Sequence, residues 1–152
     1  MEEPRFSAIE DAVADLLEPL RASHGVRGIE VHDGELSVDL IENSGTPILP
    51  PSIYFSVSVA SSSKVENLDR VQWRILVYSV ISNLGSIRES RRGRSELVGG
   101  YEAIEGIRER LDRKRIVEGA TIARRTDERV LGFSARHAVF LTRSEYSCMG
   151  FY

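Results

Sequence analysis

Residues 52–60 read SIYFSVSVA, and they alternate without interruption: Ile53, Phe55, Val57 and Val59 point one way, Tyr54, Ser56, Ser58 and Ala60 the other. Strict alternation of β-branched and aromatic residues marks a strand with one face turned to a core. Residues 71–78, VQWRILVY, repeat the pattern, with Val71, Trp73, Ile75 and Val77 on one side and Gln72, Arg74, Leu76 and Tyr78 on the other. The polar stretch Ser61-Ser62-Ser63-Lys64 falls between the runs, so it is expected to connect two neighbouring antiparallel strands.

Working outward towards the N-terminus, Ser7 and Glu10 have the spacing of a capping box at a helix start. Phe6, Ile9, Val13, Leu16, Leu17 and Leu20 then recur at helical spacing, with Glu10, Asp11, Asp15 and Glu18 mainly opposite. Pro19 lacks a donor and crowds the preceding turn, so it should loosen or end this helix, and His24-Gly25 should turn the chain. Val26 to Val31 reads as a short strand. Asp33-Gly34 reads as a turn, and Ser44-Gly45-Thr46-Pro47 with Pro50-Pro51 as an irregular connection.

Towards the C-terminus, Leu97, Tyr101, Ile104, Ile107 and Leu111 predict a second amphipathic helix. Its tail of Arg108, Arg110, Arg113, Lys114 and Arg115 suits the negative end of the helix dipole. Two further strands are expected, about Thr121 to Arg125 and Val130 to Thr142, joined through Thr126-Asp127-Glu128. Residues 1–152 therefore predict one α+β domain, a mainly antiparallel sheet of four or five strands with two amphipathic helices packed on one face. Tyr54, Leu76, Tyr78 and Val80 belong to the opposite face. They would offer apolar surface there, with Tyr54 and Tyr78 as candidate interface residues. Either self-association or an irregular loop would cover that surface.

A chain of 152 residues with 41% hydrophobic and 28% charged residues can bury a core and is too apolar for a disordered segment. A net charge of -3 argues against a general polyanion binder. Cys148, the single cysteine, cannot form an internal disulfide, and no Cys/His spacing matches a zinc site, which points to a reducing compartment. The acidic opening and the amphipathic segment after it predict neither a signal peptide nor a membrane-spanning helix.

The residues give little sign of catalysis. His24, His32 and His137 are spaced too irregularly for a local metal motif, and none sits in a nucleophile context. Gly99-Gly100 lacks the rest of any phosphate-binding motif, so close backbone packing beside Tyr101 is the expectation. Glu96, Glu102, Glu105 and Glu109 share a helix with several arginines. Surface pairs of Glu105 and Glu109 with Arg108, Arg110 or Arg113 are expected there. Cys148 has no neighbour that would activate its thiol. No catalytic, cofactor-binding or metal residues are predicted, and the chain is expected not to be an enzyme. A hydrolase or transferase site built from His32, Asp33 and His137 would need a pocket that sequence does not reveal. Arg88, Arg91, Arg92 and Arg94, with Gly93 among them, could grip phosphate or an acidic protein surface. No aromatics are interleaved on which bases could stack, which favours solvent or a protein partner. The polar, glycine-interrupted segment Ser86 to Ser95 is expected to order on assembly.

Several features follow one another along nearly the whole chain: the opening helix FSAIEDAV (6–13), the turn DGEL (33–36), the two alternating strands, the helix GYEAIEGIR (100–108) and a closing alternating strand. In order and spacing this pattern resembles the small tail-terminator, or tail-completion, proteins of Mu-like contractile-tailed bacteriophages. The resemblance implies a virion protein of the head–tail junction, assembled in the host cytoplasm. It implies a ring, expected to be a hexamer, that caps the head-proximal end of the tail tube and stops its polymerisation. Implied partners are the tail tube protein, the last sheath ring and the head-completion or neck protein. Genome DNA would pass through the ring without specific binding, and no membrane is involved. Another neck or tail-assembly adaptor is the nearest alternative, and a nucleic-acid-associated module using Arg88 to Arg94 is a further one. The arginine-rich run departs from the pattern expected of the family.

Overall fold

Pro19 splits the first helical region in two: α1 spans Phe6–Leu17 and α2 spans Leu20–His24. The computed structural model describes residues 6–31, 37–38, 52–64, 70–82, 87–93, 98–134 and 139–151. Helix α1 already includes Phe6, which puts Ser7 inside the first turn rather than at the expected cap. Gly25, with φ of 69°, closes α2 in the left-handed conformation that a side chain would disfavour.

The strands are β1 (Val26–Val31), β2 (Ser52–Lys64), β3 (Arg70–Ser82), β4 (Arg124–Ser134) and β5 (Val139–Phe151). They form one sheet in the order β1-β2-β3-β5-β4. The expected α+β architecture is present, but the sheet is mixed: β1 runs parallel to β2, and the remaining pairs are antiparallel. Two expected connections are strand. Ser61 to Lys64 continue β2, pairing from Ser61 with Arg74 to Lys64 with Val71 beyond a register shift after Val59. A bulge absorbs the irregularity, and the apolar partner strand carries the ladder across residues of poor strand preference. Thr126, Asp127 and Glu128 lie within β4, and the break falls between Ser134 and Val139. Here β4 is the edge of the sheet, where charges and bulges are the usual guard against stray pairing, so its sequence resembles a loop.

The second helical region is also divided. Helix α3 spans Ile87–Arg92, and α4 spans Gly100–Leu111. Leu97, from which helical spacing was expected, lies outside the described residues. Gly99 is packed closely against backbone, as expected, whereas Gly100 is packed against a ring. A Cβ on Gly99 would come within 2.7 Å of the Arg91 carbonyl oxygen, and one on Gly100 would run into the Phe140 ring.

Helices α1 and α4 cover one face of the sheet, α1 over β2 and β1, α4 over β5, β3 and β4, and the two touch each other. Their stripes, Ile9, Val13 and Leu17 from α1 with Ala103, Ile107 and Leu111 from α4, join Phe55, Val57, Ile75, Val77, Phe140 and Tyr146 in one core. Full burial of an aliphatic side chain contributes about 1.5–3 kcal/mol. Phe6 stands edge-on to Trp73 with ring centroids 4.8 Å apart, closing the core at the start of α1. The other face overturns the expectation of open apolar surface. Leu76 and Tyr78 are fully buried and pack with Val80, Val139 and Leu141, flanked by Val38, Tyr54 and Leu131. Val38 reaches this cluster from between β1 and β2, so the chain itself contributes to the cover, but Val38 is helical and not part of an irregular loop. Among the described residues, no helix is long and apolar enough to cross a membrane.

Candidate functional site

The arginines singled out by sequence stand on α3. Arg88, Arg91 and Arg92 are exposed, and Arg94 lies outside the described residues. The Arg91 guanidinium carbon is 6.0 Å from the Phe140 ring centroid, at the outer reach of a cation–π contact. Residues 87–92 are already helical in the single chain, and α3 rests on α4 and β5. The expectation that the whole segment awaits a partner is corrected to that extent, because the bare glycine at position 99 lets the helix dock.

Of the two candidate tyrosines, Tyr78 is enclosed and has no exposed ring to offer a partner in the single chain, since the second cluster closes around it. Tyr54 is half-buried and lies over Gly28 of β1, where a Cβ would sit 2.6 Å from its ring. Its aromatic face substitutes for the side chain that the neighbouring strand lacks.

The carboxylates of α4 pair differently from expectation. Arg108 does not stay on the helix surface with Glu105. It reaches across to β4, where its Nε and Nη2 donate to the two carboxylate oxygens of Glu128 at 2.8 and 2.5 Å. Arg125 adds a third contact to Glu128 at 3.2 Å. Arg110 donates from Nε to the Leu16 carbonyl at 2.7 Å, tying α4 to α1. Burial pushes the Glu128 carboxyl up, but hydrogen bonds and charge from Arg108 and Arg125 outweigh it and hold the group below the usual carboxylate range. The hydrogen bond to Glu128 in turn holds Arg108 firmly protonated. These two residues, with Tyr101, Ile104, Glu105, Arg129 and Val130, line a shallow hollow of about 270 Å³. Beneath lies Tyr146, fully buried, with burial raising its phenol far above its ordinary pKa. The pair joins residues 20 apart, one on a helix and one on a strand, so no local spacing announces it.

A second set of charges crosses the opposite face. Arg74 on β3 meets Glu145 on β5 at 2.6 Å, and Thr126 donates to the same carboxylate at 2.8 Å. Asp127 takes Arg129 at 2.9 Å and Arg143 at 3.5 Å. These bonds clip β4 to β5 and β5 to β3.

Two further groups of charge are unmatched. In the turn after α4, Arg113, Lys114 and Arg115 are exposed, with Arg113 held at φ of 61° while its N–H donates to the Ala123 carbonyl. Arg124 is exposed at the start of β4. On α1, Asp11 and Asp15 are exposed and Glu10 half-buried, and the helix carries no Lys or Arg. The ion pairs among the described residues use Glu18 with Arg21, but none of these seven charges.

The remaining candidates fall in ordinary settings or out of view. His24 lies 2.7 Å from the Ser23 hydroxyl and packs on Gly106 of α4. His32, Asp33 and His137 lie outside the described residues. Cys148 is buried within β5, and burial pushes its thiol up to about 11, so it is protonated at neutral pH. Among the described residues, no group of three or more His, Cys, Asp and Glu side chains gathers as a cation site. What the arrangement offers instead is surface: exposed cations on α3 and beside β4, and exposed carboxylates on α1. No protein-family model matches the chain, and no curated protein matches it.

Proposed function

We propose that this chain is a ring-forming structural subunit that caps the head-proximal end of a contractile phage tail tube. It ends tube polymerisation and presents a docking surface to head-completion and sheath proteins. Six copies form the ring, and the genome passes through it without specific contacts. The observation that carries this reading is a sheet with two unlike outer strands. A closed ring is built from heterologous contacts, so each subunit must offer two different patches. At one edge β1 is short, parallel to its neighbour, and exposes Val31 at 46%. At the other, β4 is longer, strongly charged and bent by two register shifts. Between them, β2, β3 and β5 run for 13 residues each and are backed by helices on one side, a plate stiff enough to hold the two edges at a set angle.

Light scattering coupled to gel filtration, over a concentration series and with negative-stain images, tests the reading. The mass is expected to rise from one chain and level at six, with ring-shaped particles in the images. A mass that remains at one chain throughout, or that grows without a plateau, overturns it.

A further inference from the structure

The unmatched charges lie on two separate parts of the molecule. Helix α1, over β1 and β2, carries Glu10, Asp11 and Asp15 without an internal cation. The turn 113–115 and Arg124 lie beside β4, at the opposite edge of the sheet, linked by the Arg115–Ile122 bridge and by hydrogen bonds between residues 113–114 and Ala123.

Each arrangement is unfavourable within one chain. Asp11 and Asp15, four residues apart on a helix, repel each other, and Asp15 approaches the negative end of the helix dipole. Three consecutive cations and Arg124 crowd one rim, where Arg113 occupies a backbone conformation that side chains disfavour. Of the rim, Arg124 lines a hollow of about 280 Å³, together with Gln72, Ser147, Met149 and Ile122, the bridge partner of Arg115, among others. An apolar floor with a charged border is the usual anatomy of a protein contact.

We infer that the basic rim formed by Lys114, Arg115 and Arg124, with Arg113, docks on the acidic face of α1 in a second copy of this chain. The inference rests on the ring reading, and it names the two patches that the ring requires. Repeated around the ring, each subunit presents its rim to one neighbour and its α1 face to the other. Charges at such a border steer the encounter and set its register, and they act over about 8 Å at physiological salt.

Charge reversal tests the contact. The variants are D11K/D15K and K114E/R115E/R124E, all at exposed positions, with circular dichroism as the check on folding. Each variant alone places like charges together and should lose association by on the order of a hundredfold. An equimolar mixture restores opposite charges at every contact and should reassemble, with alternating subunits, to the wild-type mass. If the wild type forms a ring and either reversed variant does so equally well, or if the mixture fails to recover, the contact is wrong and the ring reading stands. If the wild type itself stays monomeric, the ring reading falls and this contact with it. Should a reversed chain fail to fold, D11N/D15N and K114Q/R115Q/R124Q replace it. Each is then expected to weaken association about tenfold, and unchanged association overturns the contact.

Discussion

The two faces of the sheet share the same strands but are covered in different ways. On the helix side, Phe55, Val57, Ile75, Val77 and Phe140 meet two regular apolar stripes, and the buried hydroxyls of Ser79 and Thr142 hydrogen-bond each other. On the other side, Leu76, Tyr78, Val80, Val139 and Leu141 form a compact island, and the rest of the face is crossed by the Arg74–Glu145 and Arg143–Asp127 pairs. A strand's alternation says which side chains share a face. It does not say what lies over them, because the cover comes from elsewhere in the chain.

Ile75 and Leu76 put this comparison to its sharpest test, since they are chain neighbours on opposite faces and both are fully buried. Ile75→Ala and Leu76→Ala are each expected to cost about 2–5 kcal/mol in urea unfolding. A loss below about 0.5 kcal/mol for Leu76→Ala, typical of exposed positions, would mean that the second face is open in solution. A smaller effect is expected for the polar pair on the helix side. Glu128→Gln removes the charge that Arg108 and Arg125 share, and after allowance for the partial exposure of Arg108 the cost is roughly 0.5–1.5 kcal/mol. The folded pKa of Glu128 lies below the unfolded value of about 4.3, so the wild type's advantage is fully present above that pH. It should shrink as pH falls through the folded pKa. An advantage that is constant down to acid pH would show that the carboxylate is not what Arg108 stabilises. The least change in stability is expected from Arg91→Ala with Arg92→Ala on α3, within about 0.5 kcal/mol of wild type, because both side chains are exposed. The same double variant is expected to weaken ring formation in light scattering. Unaltered assembly would remove α3 from the contact surface.

Much of the fold was legible because it rests on periodicity and on strong punctuation. Alternation located β2 and β3, Pro19 and Gly25 marked the ends of helices, and β1 has the bounds that its sequence suggests. Ser61 to Lys64 and Thr126 to Glu128 misled for the same physical reason. At strand extremities and sheet edges, hydrogen bonding to a neighbour sustains the ladder where side chains contribute little, and composition there is that of a loop. The parallel pairing of β1 had no local signal, because direction depends on the path of the intervening chain. The charged sites divide likewise. Exposed arginines on α3 could be anticipated from their run, whereas the partnership of Arg108 with Glu128 depends on α4 lying beside β4.

The central seam of the sheet bears on how the chain finds its shape. Strands β2 and β3 adjoin in sequence, as do β4 and β5, so each antiparallel pair can zip locally. The seam that joins the pairs, β3 against β5, brings together residues far apart: the Ser79–Thr142 hydroxyl contact spans 63 residues, and the Arg74–Glu145 pair spans 71. Closing such long loops is the slow part of folding. Until the two hairpins dock, Ile75, Val77 and Phe140 lack their common core, and the open flanks of β3 and β5 are the surfaces on which two unfinished chains would most readily join.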